Sequence, residues 1–170
     1  TGFSWHKSPR ELGELDRELK ARELQRFIKE KAAFQLGTLG GGNHFLEAQV
    51  DENDVIWLMV HSGSRNTGLQ IANYYNQLAI ENTEKRGLAV GKDLASLPLD
   101  DQLAQDYIED MAWATDFALA SRSKMIDAMF FTLKDHLGRW SSDVTDTPVD
   151  EDFINIHHNF ANQEEHDGQQ

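Results

Sequence analysis

His44 follows Asn43 at the exit of a glycine-rich stretch, Gly37-Thr38-Leu39-Gly40-Gly41-Gly42, and His61 ends the apolar run Val55-Ile56-Trp57-Leu58-Met59-Val60. A third position is doubled: His157-His158 follows Phe153-Ile154-Asn155-Ile156 and precedes Asn159. Imidazole is neutral over much of the physiological range and ligates divalent ions through either ring nitrogen. Three such rings suit Zn, Fe or Mn, yet no spacing here matches a zinc finger, a His-Glu-x-x-His helix or a calcium loop, so spacing alone names no metal. The bland reading stands beside the ligand reading: His44 and His61 can equally be polar residues at strand ends, bonded to backbone.

Phosphate chemistry has its own candidates. The Gly37 to Gly42 loop lets backbone N–H groups converge on an anion, although it lacks the Lys-Ser or Lys-Thr ending of a P-loop and the Gly-x-Gly-x-x-Gly spacing of a dinucleotide fingerprint. A tight turn beside a strand is the alternative. Ser62-Gly63-Ser64-Arg65, directly after His61, offers hydroxyls and one guanidinium whose fork matches phosphate oxygens, beside a helix start that favours anions. A surface ion pair for Arg65 is the competing reading. No Gly-x-Ser-x-Gly elbow supports a serine nucleophile.

These residues need elements to hold them. Leu12, Leu15, Leu19, Phe27 and Ile28 recur at helical spacing, which predicts an amphipathic helix over 11–33. Phe45 to Val50 and Val55 to Val60 read as two strands around the turn residues Asp51-Glu52-Asn53-Asp54. A regular four-residue turn would oppose Val50 to Val55 and place His44 directly across from His61. A helix is expected at 66–82, and a longer one capped by Asp100 or Asp101, interrupted near Ser121-Arg122-Ser123. Phe153 to Ile156 reads as a strand delivering His157 and His158 to opposite faces, so that only one of them joins the other two histidines. The whole predicts an α+β domain, a mixed or antiparallel sheet with packed helices.

At 39% hydrophobic content, 170 residues suffice for one core. The absence of cysteine excludes disulfides and thiolate chemistry. No run of 18 apolar residues and no secretory layout occurs, which points to the cytoplasm and away from membranes. A net charge of -13 disfavours broad electrostatic binding of nucleic acid. The charge is unevenly spread: residues 1–31 hold eight of the sixteen basic residues, and the acidic excess lies beyond them. Phosphate must therefore be handled locally, by a metal, backbone amides or single arginines.

Taken together, Gly37-Thr38-Leu39-Gly40-Gly41-Gly42-Asn43-His44-Phe45-Leu46-Glu47, His61-Ser62-Gly63-Ser64-Arg65 and His157-His158-Asn159-Phe160 resemble, in order and spacing, the central part of the RtcB family of RNA-splicing ligases. The resemblance implies GTP- and Mn-dependent joining of RNA or tRNA exon ends carrying 3′-phosphate or 2′,3′-cyclic phosphate to 5′-hydroxyl ends, through a guanylylated histidine. It implies His44 as ligand to one Mn ion, His61 and His158 as ligands to a second, and Asn43, Asn159, Ser62 and Arg65 as nucleotide or phosphate contacts. It selects His158 over His157, which strand alternation leaves open.

The departures from that family are specific. Its Asp-x-x-Cys ligand pair has no counterpart in a chain without cysteine, and nothing here resembles the His-Gly-Ala-Gly segment bearing the guanylylated histidine. The expectation is an incomplete RtcB-like catalytic core over 1–170, inactive by itself, with family segments required upstream and downstream or supplied in trans. Two other readings remain: a degenerate nucleotide- or metal-binding or interaction domain, and a three-histidine metallohydrolase acting on phosphodiesters.

Overall fold

The computed structural model describes residues 4–91, 94–138 and 153–157. Its elements are α1 (Arg22–Gln35), β1 (Phe45–Val50), β2 (Ile56–His61), α2 (Arg65–Lys85) and α3 (Gln102–Leu137). The strands pair antiparallel and the helices bury the core, so the expected α+β class is what forms.

The helix expected over 11–33 is instead a short 3-10 turn, Gly13–Leu15, an irregular stretch and then α1. Asp110 on α3 explains the difference. Its carboxylate is buried and accepts from Lys20 N at 2.7 Å, Ala21 N at 2.9 Å and the Tyr75 hydroxyl at 2.8 Å. Amides that a longer helix would spend on its own ladder are spent on that carboxylate, and three donors offset the cost of burying it. Trp113 Nε1 donates to Leu15 O at 2.8 Å and holds the same segment. Leu15 and Leu19 thereby enter the core from irregular backbone, against Ile28, Trp113 and Phe117.

Asp101 caps α3 by accepting from Leu103 N at 2.9 Å. The interruption expected near residues 121–123 does not occur; α3 runs unbroken for 36 residues. Ser121 and Arg122 are buried, and their polar groups reach partners on other segments: Ser121 Oγ accepts from Gly37 N at 2.9 Å and Arg122 Nη1 donates to Ser62 O at 3.1 Å. Neither needs to compete for the helix's own backbone.

The hairpin register is shifted by one residue. Phe45 pairs with His61 and Val50 with Ile56, so the turn holds Asp51 to Val55 and His44 falls just before β1. Asp51 causes the shift: its Oδ1 accepts from Asn53 N at 2.8 Å and Val55 N at 2.9 Å, and its backbone N donates to Val55 O at 3.0 Å. Asp54, at φ 62, supplies the left-handed residue that longer hairpin loops use. β2 packs on α3, whereas Leu46, Val50 and Trp57 stay exposed. Phe153 to Ile156, expected as a strand, make no strand pairing; Asn155 fastens this segment to α3 by donating to Leu119 O at 3.2 Å.

Candidate functional site

A cavity of about 780 Å³ opens between the end of the hairpin, the start of α2 and the middle of α3. Its lining includes the polar residues Asn43, His44, His61, Ser62, Arg122 and His157 and the largely apolar Leu69, Tyr107, Met111 and Ile156.

His44 is oriented by backbone. Its Nδ1 lies 2.9 Å from Leu39 O; a carbonyl can only accept, so Nδ1 carries a proton, and in the neutral ring Nε2 keeps its lone pair for an outside partner. Metal-binding histidines are commonly held this way, the second nitrogen bonded to a carbonyl that fixes tautomer and ring direction. Arg65 Nη1 comes within 3.4 Å of the same protonated nitrogen, which makes that contact packing between two donors. His61 sits with its ring centroid 6.2 Å from that of His44 and stacks on Phe45 at 5.2 Å. The one-residue register shift thus removes the direct cross-strand pairing but keeps the rings adjacent. With metal–nitrogen bonds of about 2 Å, such rings can share an ion or hold neighbouring ones.

The third ligand implied by the resemblance, His158, and Asn159 lie outside the described residues. Among the described residues no group of three histidine or acidic side chains gathers around a point. His157, which the resemblance set aside, lines the cavity.

The first part of the glycine stretch is committed to contacts other than the amide cradle expected of it. Gly37 N is bonded to Ser121 Oγ and Thr38 N to Gln35 O, and Leu39 O turns inward to accept from both His44 and the Ser62 hydroxyl, the latter at 3.0 Å. Only the Gly40 to Asn43 part is left for an anion. Gly40, at φ +87, makes room for Arg65: a Cβ there would stand 1.2 Å from Nη1. Arg65 itself takes φ 60, a region that costs a non-glycine residue on the order of 1 kcal/mol. Its Nε is buried without a hydrogen-bond partner among the described residues, and burial draws its pKa below the usual guanidinium value, though an arginine stays cationic.

Asn43, His44, His61 and Ser62 line one cavity, and Arg65 abuts it through His44. The proton of Ser62 is committed to Leu39, which leaves its oxygen only as an acceptor. The motifs do not point to Arg122 and Asn155 as parts of the site. Arg122 continues the spacing of Ala114 and Ala118 on a buried helical face, and a charged residue on such a stripe was the available signal.

Fold and site define an α+β unit with paired imidazoles and an arginine-bearing glycine turn. A family model described as tRNA-splicing ligase RtcB matches residues 2–170, and the chain belongs to the RtcB family. It is 34% identical over 150 residues to the RNA-splicing ligase RtcB of Escherichia coli K12, covering 88% of this chain and 36% of that protein. It is 30% identical over 184 residues to the tRNA-splicing ligase RtcB of Thermococcus kodakarensis, covering 98% of this chain and 37% of the relative. With the protein of the same description from Pyrobaculum aerophilum the identity is 32%, over 81% of this chain and 31% of the relative. The chain thus spans about a third of the length of these relatives. No helix among the described residues is long and apolar enough to cross a membrane.

Proposed function

We propose that the chain supplies the histidine and phosphate-handling part of an RNA ligase that joins 3′-phosphate or 2′,3′-cyclic phosphate ends to 5′-hydroxyl ends in a GTP- and Mn-dependent reaction. The observation that carries this reading is His44, whose Nδ1 is tied to Leu39 O at 2.9 Å while its ring stands 6.2 Å from that of His61. His44, His61 and His158 would hold Mn, which when bound offsets negative charge on phosphate. Asn43, Asn159 and Arg65 would orient the phosphate or nucleotide, with the Ser62 oxygen accepting from a nucleotide hydroxyl or N–H. The exon ends of RNA or tRNA would be the substrates, and the cytoplasm the compartment.

The 170 residues include neither a cysteine nor a His-Gly-Ala-Gly segment, so the chain alone would form no histidine–GMP adduct; the rest of the RtcB-like machinery would come from other polypeptide, in the same chain or in trans. Electron paramagnetic resonance titration of Mn with the 170-residue chain tests the site. Binding that weakens at least tenfold in both His44→Ala and His61→Ala supports it, and equal binding in all three proteins overturns it. Incubation with labelled GTP tests the division of labour, since a stable GMP adduct would contradict it. Chelator-sensitive phosphodiester hydrolysis without GTP would favour a metallohydrolase instead.

A further inference from the structure

Arg122 is 7% exposed and stands midway along α3. Among the described residues no carboxylate lies within ion-pair distance of it. Its guanidinium bridges two segments that are remote in sequence: Nε donates to Asn155 Oδ1 at 2.8 Å and Nη1 to Ser62 O at 3.1 Å. The amide of Asn155 is clamped from the other side, with Nδ2 donating to Leu119 O at 3.2 Å and Ser123 Oγ at 3.3 Å. Nη2 is buried without a hydrogen-bond partner among the described residues. Segment 153–157 has no strand pairing, and Phe153, Ile154 and Ile156 are exposed. Asn155 ties it to α3.

We propose that Arg122 is a positioning residue that seats segment 153–157, with His157 and the chain entering His158, against the loop that follows His61. A buried guanidinium is suited to this work because its rigid fork can serve two acceptors at fixed angles, which a single ammonium cannot. Ser62 O belongs to the residue next to one candidate ligand, and Asn155 lies two residues before His157, so the bridge sets the spacing between the hairpin histidines and His157. The consequence for Mn affinity rests on the ligase reading above; the seating itself does not.

The test uses the full 170-residue chain as wild type, Arg122→Met, Arg122→Lys and Asn155→Ala. Three readouts are taken: the His157 Cε1–H resonance, assigned with His157→Gln, the Mn titration and the thermal midpoint. Asn155→Ala guards against an unstable Arg122→Met, because it severs the same bridge from the exposed segment. The expected result is that both variants move the His157 resonance toward that of free histidine, leave the His44 resonance in place and lower Mn affinity 10- to 100-fold, the range for supporting contacts around metal ligands. Arg122→Lys does not restore the signature. Should His157 resonate as in wild type in both Arg122→Met and Asn155→Ala, the proposal is overturned. Displacement of the His44 and His157 resonances together in Asn155→Ala would also overturn it, since that marks a general support of the fold. If His157 moves as expected while the wild type binds no Mn, the seating role stands and the metal reading fails.

Discussion

The guanidinium of Arg65 occupies the space that a side chain on Gly40 would need, so that a Cβ on Gly40 would stand 1.2 Å from Nη1. Gly40→Ala is therefore expected to expel the arginine and strain a backbone held at φ +87, lowering stability by roughly 1–3 kcal/mol. Chemical denaturation measures the loss. In the Gly40→Ala, Arg65→Ala double variant the clash is relieved and the strain is not, so the two losses should be non-additive; strict additivity would mean that the two residues do not interfere.

Ser62 and His44 share one acceptor, Leu39 O, but differ in what they keep for a ligand. Ser62→Ala is expected to cost about 1 kcal/mol, an ordinary net hydrogen bond, and to leave Mn binding within about twofold. A fall comparable to that of His44→Ala in the same titration would move Ser62 into the ligand shell.

The hairpin turn carries an acid response. Asp51 is held below the ordinary carboxylate pKa of 3.8, first by the bond from Trp57 Nε1 and then by the amides of Val55 and Asn53. A lowered value means that the ionised form is the one the fold favours. Its contribution is complete above the ordinary pKa and disappears as pH falls through the lowered one. The Trp57 indole N–H resonance should shift across that acid window in wild type and stay flat in Asp51→Asn.

Tyr75 gives the opposite sign. Burial, followed by its bond to Asp110, raises the phenol pKa, so the neutral form is favoured. This contribution is intact below about 10, the usual value for tyrosine, and is lost at higher pH. Tyr75→Phe should flatten the alkaline side of a stability profile at a cost of roughly 1 kcal/mol. Asp110→Ala should cost more, about 2–4 kcal/mol in thermal or denaturant unfolding, because Lys20 N and Ala21 N lose their acceptor.

The sequence disclosed local periodicity and concealed long-range polar bonds. α2 and the two strands followed from apolar spacing, and the cap at Asp101 from its side chain. The amino-terminal helix was overextended because Asp110, some ninety residues away, takes the amides of Lys20 and Ala21. The register slipped because the Asp51 carboxylate organises a five-residue turn that its neighbours alone do not specify. Ser121-Arg122-Ser123 suggested an interruption in α3 only while the partners of those side chains, Gly37 N, Ser62 O and Asn155, were out of view. His44, His61 and Asn43 could be gathered from motif order, but the use of Gly40 as a berth for Arg65 is a three-dimensional fact.

Asp110 and Arg122 sit on one uninterrupted rod, twelve positions apart, or about 18 Å at the helical rise of 1.5 Å per residue. The first anchors the amino-terminal wrap and the second braces the cavity wall, and no hinge separates them. The amino-terminal wrap and the cavity wall therefore share one reference, and their separation is set by helix geometry rather than by the loops between them.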